Sequence, residues 1–333
     1  MRSPRRAAGS VPPAGLAVDV GSVRLRNPVM TAAGTAGHGA ELGAYVDLAS
    51  LGAVVVKSLS PMPWPGNPAP RVRPVAGGML NSVGLQGPGV ARWLAEDLPA
   101  LEATGATVVA SIWGRTVEEY ARAGEMLAAA PACVVAVEVN VSCPNTEDGD
   151  HMFAHSPSAT AAVLAASASC ERPLWAKLSP NTPELVAVAG AALDAGAEAL
   201  TLVNTLTGLA IDVRTRRPAL GAGRGGLSGP ALHPVAVRAV YECRSAYPSC
   251  AIVGVGGVSG ALDAVELIMA GASAIQVGTA TLADPRAPAR VLADLVHWCE
   301  LNGVTDIAGL TGCAQRTDAE GGRGDHTCPE GPR

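Results

Sequence analysis

Short apolar segments alternate along the chain with helical segments rich in alanine, and this repeat limits the possible folds to a few. We predict strands at Pro28–Gly34, Ala53–Ser58, Thr107–Trp113, Ala136–Ser142, Leu174–Ser179, Ala199–Thr205, Ala251–Gly257 and Ala274–Thr279. The helical segments between them include residues 41–50, 116–130, 157–170, 183–195, 231–246 and 260–271. Strands that alternate with helices form parallel sheets, so we predict an α/β fold of the (β/α)8 TIM barrel type. Periodicity alone leaves a doubly wound open sheet as the alternative.

The ends of the chain differ from this repeating part. Residues 1–14 are rich in Arg, Pro, Ala and Gly, which is typical of a disordered tail. Residues 16–26 alternate apolar and polar side chains around Gly21-Ser22 and predict a small N-terminal β-hairpin that covers one end of the domain. We therefore predict a tail over 1–14, one barrel domain over 15–305 and a flexible tail over 306–333.

Two long interruptions rich in glycine or proline, residues 59–92 and 206–229, separate consecutive elements of the repeat. Long loops in a compact domain are usually functional. In a barrel both would lie on the C-terminal face, where active sites form.

Composition excludes several classes of function. The 333 residues carry a net charge of −5, which gives no reason to expect a nucleic-acid partner. The eight cysteines form no CxxC pair, so neither a zinc site nor an iron–sulfur site is indicated. No apolar signal segment follows the basic start and no apolar run approaches the roughly 20 residues of a membrane span, so we expect a cytoplasmic protein with reduced thiols and no membrane contact.

Polar side chains collect where the predicted strands end. They are Lys57, Asn140, Lys177, Asn204 and Thr205. A lysine in an apolar strand is costly to bury unless an anion pairs with it, although a single lysine can also extend to solvent.

A thiol, Cys143, follows the predicted fourth strand in the segment Asn140-Val141-Ser142-Cys143-Pro144-Asn145. A thiol between amides at a strand end can act as a proton acceptor or a nucleophile. An isolated cysteine is more often an inert buried residue, so this interpretation depends on the other motifs of the chain.

Glycines end the last two predicted strands, in Gly254-Val255-Gly256-Gly257 and Gly278-Thr279. Backbone N–H groups at such turns can close on an oxyanion, and barrels often bind phosphate after strands seven and eight. We infer a cofactor that carries a phosphate.

Seven motifs together resemble the dihydroorotate dehydrogenase family. In chain order they are Gly66-Asn67-Pro68-Ala69-Pro70-Arg71, Asn81-Ser82-Val83-Gly84-Leu85, Asn140-Val141-Ser142-Cys143-Pro144-Asn145, Lys177-Leu178-Ser179-Pro180, Asn204-Thr205, Gly225-Gly226-Leu227-Ser228-Gly229-Pro230 and Gly256-Gly257. The resemblance runs from about residue 16 to residue 300 and is greatest for the class 1B catalytic subunit. A cysteine at position 143 resembles class 1, since the membrane-associated class 2 has a serine there.

The resemblance implies an FMN-binding barrel that oxidises (S)-dihydroorotate to orotate in de novo pyrimidine biosynthesis. Cys143 would be the general base that takes the C5 proton, while hydride passes from C6 to flavin N5. Lys57 would assist catalysis at the substrate carboxylate or the flavin, and Lys177 would stabilise the reduced flavin. The implied substrate-binding residues are Lys57, Asn81, Val83, Gly84, Leu85, Asn140, Asn145, Asn204 and Thr205. The implied FMN-binding residues are Ala33, Gly34, Lys57, Ser58, Ser111, Asn140, Lys177, Val203, Gly229, Gly256, Gly257, Gly278 and Thr279. Residues 146–153 would form a lid.

Class 1B also implies a separate subunit with FAD and a [2Fe–2S] cluster, and a homodimer or heterotetramer. Two residues depart from the family pattern. Other members of the family often have a serine at the position of Ala33 and an asparagine at the position of Ser111. Together with the bulky Trp113 they motivate one alternative, a related flavin enzyme acting on another cyclic amide or dihydropyrimidine-like substrate. A catalytically silent flavin-barrel paralogue that serves as a binding subunit is the alternative from another class.

Overall fold

Eight parallel strands form the central sheet of the protein. The computed structural model describes residues 15–142, 144–145 and 151–315. The strands are β1 (Val29–Thr31), β2 (Val54–Val55), β3 (Val108–Ile112), β4 (Val134–Asn140), β5 (Leu174–Leu178), β6 (Ala197–Leu202), β7 (Ala251–Val255) and β8 (Ala274–Val277). They pair in the order β1-β8-β7-β6-β5-β4-β3-β2.

A parallel bridge between Met30 and Ala53 joins β1 to β2 and closes the sheet. Thr31 reinforces this seam, since its hydroxyl accepts a 2.9 Å hydrogen bond from the amide of Val55. The predicted TIM barrel is therefore confirmed over the open doubly wound sheet. The eight strands overlap the eight predicted ones and differ at their ends.

The helices surround the barrel. They are α1 (Val90–Arg92), α2 (Leu98–Glu102), α3 (Val117–Leu127), α4 (Pro157–Ser167), α5 (Leu185–Asp194), α6 (His233–Ala246), α7 (Ala261–Ala270), α8 (Thr279–Ala283) and α9 (Ala287–Leu301), with a π-helical turn at Trp93–Asp97 between α1 and α2. The predicted helix over 41–50 is wrong, because the structure has two 3-10 turns there, Glu41–Ala44 and Leu48–Ser50. Asp47 lies between them with extended backbone, and its side chain accepts from the amide of Ala49, so a new turn starts there.

The N-terminal hairpin pairs Val18–Val20 with Val23–Leu25 in antiparallel register. Its inward side chains Val18, Val20, Val23 and Leu25 are buried. The amide of Ser22 donates to Glu198 Oε2 at 2.8 Å, near the start of β6. The hairpin therefore lies at the amino-terminal end of the barrel strands, opposite the end where the polar strand ends collect.

The two long loops meet in one four-stranded antiparallel sheet on the carboxyl side of the barrel. Residues 59–92 contribute Val72–Val75 and Gly78–Asn81, and residues 206–229 contribute Leu206–Gly208 and Gly225–Ser228. A small hairpin, Ile211–Asp212 with Arg217–Pro218, extends from the second loop. Loops that are distant in sequence thus form one wall above the barrel.

The ends of the described chain also meet. Gly15 pairs with Asp306, and its amide donates to the carbonyl of Thr305 at 2.7 Å. The 3-10 turn Ile307–Leu310 buries Ile307 and Leu310, so the first residues of the segment predicted as a C-terminal tail pack on the barrel. The predicted tails over 1–14 and beyond 315 lie outside the described residues, and the domain boundaries stay a prediction.

Over the described part of the chain, no helix combines the length and apolar character that crossing a membrane requires.

Candidate active site

A cavity of about 960 Å³ opens at the carboxyl ends of the barrel strands, beneath the four-stranded sheet. It gathers predicted site residues from the whole length of the chain. Those that line it are Ala33, Gly34, Lys57, Ser58, Asn81, Val83, Gly84, Leu85, Asn140, Lys177, Val203, Asn204, Thr205, Gly229, Gly256, Gly257, Gly278 and Thr279. Strand ends and loops that the sequence separates by more than 200 residues therefore share one site.

Cys143 lies outside the described residues, as do residues 146–150 of the predicted lid. The chain on either side can be placed. Ser142 and Met152 line the cavity, and the backbone of Pro144 pairs with that of Met152. Phe153 is buried against Tyr120, with ring centroids 5.6 Å apart, and so belongs to the core. The backbone of Asn145 pairs with His151; the substrate role of its side chain stays a prediction.

Asn140, at the end of β4, is the centre of a polar network on the cavity wall. Its Oδ1 accepts from Asn204 Nδ2 at 3.1 Å and from the amide of Ser142 at 3.2 Å. The Tyr120 hydroxyl donates to the carbonyl of Asn140 at 2.7 Å and fixes the strand end. These contacts orient the side-chain amide of Asn140, which thereby links the end of β4 to the residues that follow β6.

Ser111 is the one predicted site residue with a described side chain that does not line the cavity. It is fully buried behind Ser58, and the two hydroxyl oxygens are 2.9 Å apart. Trp113 likewise lies behind the wall, where it packs edge-to-face on Trp64 with ring centroids 5.7 Å apart. Ser58 and Trp64 line the cavity, whereas Ser111 and Trp113 do not.

Lys177 lies inside the barrel mouth with only 5 % of its surface exposed. Its Nζ is 3.1 Å from Glu138 Oε1 and 3.4 Å from Gln276 Oε1. Gln276 Nε2 donates to Glu138 Oε2 at 2.7 Å. The expectation that a buried lysine has an anionic partner is thus confirmed for Lys177.

Lys57, at the carboxyl side of β2, lies beside Gly34. A Cβ added to Gly34 would be 3.2 Å from Lys57 Cδ and 3.4 Å from Lys57 Nζ, and Gly34 has a φ of +87°. A glycine at this position therefore makes room for the lysine side chain at the cavity wall.

His38 also lines the cavity. Burial lowers the pKa of His38, and the neighbouring Lys57 ammonium lowers it further, while the Asp97 and Glu41 carboxylates oppose this shift. The imidazole is therefore neutral at neutral pH, and its Nε2 can accept or donate one hydrogen bond.

The glycines after β7 form a tight turn against the start of α6. Gly256 and Gly257 have φ values of +142° and +73°. His233 Nδ1 is 2.8 Å from the carbonyl of Gly256. Near the end of β8, the Thr279 hydroxyl donates to Ser228 Oγ at 2.7 Å. His233 thus fixes the turn after β7, and Ser228 fixes Thr279 after β8, so both ends of the proposed oxyanion cradle are held in place.

Three buried polar atoms on the cavity wall, His38 Nε2, Ser82 Oγ and Ser142 Oγ, have no hydrogen-bond partner among the described residues. Buried polar atoms are nearly always paired, so these atoms indicate a polar ligand in the cavity. The volume and donor set fit a phosphate-bearing cofactor together with a small polar substrate.

Arg71 fixes the wall formed by residues 59–92. Its Nε donates to the carbonyl of Asn67 at 2.5 Å, its Nη2 to the carbonyl of Pro65 at 3.0 Å, and its Nη1 to Gln86 Oε1. All three acceptor residues line the cavity. One guanidinium therefore holds three separate points of the wall together.

Glu138, Gln276 and His38 were not predicted as site residues from the sequence. In the sequence, Glu138 is a charged residue between two valines, a pattern that predicts an outward-facing side chain on a strand. Neither Gln276 nor His38 belongs to a recognisable motif. The apolar neighbours of Lys177 in the sequence were the one available signal. They indicated that the lysine needs an anionic partner, but not which residue that partner is.

Two buried thiols, Cys243 and Cys250, lie away from the cavity. Burial raises the pKa of Cys243 to about 12 and that of Cys250 to about 11, with a further raising effect of Cys250 on Cys243. Because the thiolate is the nucleophile, we expect iodoacetamide at neutral pH to leave both residues unmodified in the folded protein, as judged by peptide mass spectrometry. Protein unfolded in guanidinium is the control and should be alkylated at both. Rapid alkylation of Cys243 in the folded protein would contradict this account.

Comparison with known proteins places the whole barrel in one group. The family model described as dihydroorotate dehydrogenase matches residues 15–298. Three similar curated proteins all carry the name dihydroorotate dehydrogenase B (NAD(+)), catalytic subunit. The Geotalea daltonii protein is 45% identical, covering 89% of this chain and 97% of its own. The Geobacter metallireducens protein is 44% identical (90% and 98%), and the Desulforudis audaxviator protein is 47% identical (90% and 98%).

Proposed function

The chain belongs to the dihydroorotate dehydrogenase family, and on that premise we propose that it oxidises (S)-dihydroorotate to orotate in de novo pyrimidine biosynthesis. The observation that carries the proposal is the convergence of Lys57, Asn140 and Lys177 with the glycine turns on one cavity. The names of the related proteins support the substrate and the class 1B assignment.

We propose FMN as the cofactor. Gly229, Gly256, Gly257, Gly278 and Thr279 would hold the phosphate through backbone N–H groups and the threonine hydroxyl. Ala33, Gly34, Ser58, Asn140 and Val203 would line the ring, with Ser111 acting through Ser58. FMN, when bound, supplies the hydride acceptor for C6 of the substrate.

The asparagines of the cavity supply the substrate contacts. Asn81, Asn140, Asn145 and Asn204 have the donors and acceptors that pair with the edges of a pyrimidine dione, and Thr205 adds a hydroxyl. Backbone groups of Val83, Gly84 and Leu85 would complete the pocket. Together these contacts hold the C5–C6 bond in one orientation, which lowers the entropic cost of the reaction.

The chemical roles fall to two cations and one thiol. Cys143 would act as general base and remove the C5 proton. Lys57 would contact the substrate carboxylate or the flavin. Lys177 would stabilise negative charge at the N1/O2 edge of the flavin, an electrostatic role in a water-poor site.

We propose a separate electron-transfer subunit with FAD and a [2Fe–2S] cluster, which would pass electrons to NAD+. The words "catalytic subunit" in the names of the related proteins support a separate partner. A homodimer or heterotetramer and a cytoplasmic location stay predictions.

The alternative cyclic-amide substrate has less structural support than dihydroorotate. Of the residues that motivate it, Ala33 lines the cavity, whereas Ser111 and Trp113 lie behind its wall. Steady-state turnover with dihydroorotate and with dihydrouracil separates the two substrates. We expect turnover with dihydroorotate only; turnover with dihydrouracil alone would replace the proposal. A colourless protein that stays colourless with added FMN would instead favour the silent paralogue.

Arg71→Ala should raise KM for dihydroorotate about tenfold with a smaller change in kcat. The variant loses the hydrogen bonds of the guanidinium, and a hydrogen bond to a charged group is worth roughly 1.5–3 kcal/mol. The part of the cavity wall that carries Asn67 and Gln86 then becomes more mobile. Steady-state kinetics measure the effect. Arg73→Ala is the matched control, because Arg73 lies two residues further along the same loop, on the strand Val72–Val75, and is exposed. Equal KM values for Arg71→Ala and the wild type would show that the guanidinium does not shape the pocket.

A further inference from the structure

Three polar side chains form a closed triangle inside the barrel, directly below the cavity. Lys177 donates to Glu138 and to Gln276, and Gln276 donates to Glu138. Glu138 and Gln276 are fully buried, and of the three only Lys177 lines the cavity. The triangle thus connects a buried carboxylate to the cavity through one ammonium group.

The triangle fixes the position of the ammonium. The Gln276 amide presents its oxygen to Lys177 and its nitrogen to Glu138, so its orientation is determined by both partners. An ammonium has three donor hydrogens, and these contacts use two of them. The third is available to a group in the cavity.

The triangle also sets the charge of the barrel interior. Lys177 and Glu138 are 3.1 Å apart, with 7 % and 0 % of their side chains exposed. An apolar pair of similar volume would often be as stable or more stable than such an ion pair. Fold stability alone therefore does not account for a carboxylate at this position.

We propose that Glu138 and Gln276 are positioning residues that hold the Lys177 ammonium against the flavin and offset its charge, so that they set the electron affinity of the flavin. This inference rests on the proposed FMN site and extends it to two residues that touch neither cofactor nor substrate. Removing the carboxylate leaves the full positive charge of Lys177 facing the ring, whereas a second carboxylate, once ionised, over-compensates that charge.

Sulfite affinity of the purified, FMN-loaded protein tests the proposal, because sulfite adds to flavin N5 more tightly when positive charge lies near N1/O2. Glu138→Gln should lower the sulfite dissociation constant about tenfold. Gln276→Glu should raise it about tenfold at the alkaline end of a pH series, because the neighbouring Glu138 raises the pKa of the new carboxyl and only its ionised form adds negative charge. The two-electron midpoint potential should move about 30 mV upward and about 30 mV downward, the equivalent of those changes. Glu242→Gln, in the exposed Arg238–Glu242 pair, is the matched control and should change neither quantity.

Opposite shifts in the two variants support the proposal. Shifts in the same direction, or unchanged values, overturn it, because a merely structural role would perturb both variants alike. If one variant does not fold, the sign of the other decides. The sulfite titration needs no dihydroorotate, so a failure of this inference is distinguishable from a failure of the proposed function. A wild-type protein that binds FMN and sulfite but is not reduced by dihydroorotate would refute the proposed substrate alone.

Discussion

Cys143→Ala should leave the protein yellow and slow the reduction of its flavin by dihydroorotate at least about 100-fold. General base catalysis contributes about 10² to 10⁴ to such proton transfers, and alanine has no group that can accept the C5 proton. FMN retention should not change, because the proposed phosphate and ring contacts come from other residues. Anaerobic stopped-flow measurement of flavin absorbance gives the rate.

Cys133→Ala is the matched control for this variant. Cys133 immediately precedes β4, whereas Cys143 comes three residues after the end of that strand in the sequence. Burial raises the pKa of Cys133, and it is not part of the cavity wall. The control should be reduced at the wild-type rate. Wild-type reduction of Cys143→Ala would show that another group removes the proton.

Gly257→Ala should weaken FMN binding about 10- to 100-fold, which corresponds to roughly 1.4–2.8 kcal/mol. Gly257 has a φ of +73°, and an added Cβ would lie 2.6 Å from His233 Cβ and 3.1 Å from the carbonyl oxygen of Gly229. The turn must move away from α6 to relieve this clash, and the backbone amides proposed to hold the phosphate move with it. Fluorescence titration of the apoprotein with FMN measures the dissociation constant.

Gly260→Ala controls for the loss of a glycine in the same loop. Gly260 has an extended backbone, with a φ of −154°, and a Cβ there would meet nothing within 4 Å. We expect wild-type FMN affinity for this variant. Equal affinities for Gly257→Ala and Gly260→Ala would remove the glycine turn from the cofactor site.

The barrel could be predicted from the sequence because its signal is local. Each strand is an apolar run such as Ala251–Val255, bounded by residues that end it, and eight such runs alternate with helices. Residues 41–50 were mispredicted because the helix formers Glu, Leu and Ala of this segment are interrupted by Gly43 and Val46, and Asp47 caps a second turn. A capping side chain competes with helix propensity, and composition does not show which one prevails.

The polar network of the site was only partly predictable. Lys57, Asn140 and Lys177 end strands, so the barrel topology brings them together. Glu138 pairs with Gln276 across 138 positions of the chain, and only barrel closure places β4 and β8 on opposite sides of one interior. The joining of the two long loops in one sheet has the same origin, since the pairing of Leu80 with Leu227 leaves no local pattern.

Single-turnover reduction shows directly whether one cavity presents dihydroorotate to both a base and a flavin. The isolated, FMN-loaded protein is mixed with dihydroorotate under anaerobic conditions, without any partner subunit or NAD+. We expect the visible absorbance of the flavin to bleach and one orotate to form per flavin. A flavin that stays oxidised in the presence of dihydroorotate, yet is bleached by dithionite, would contradict the account.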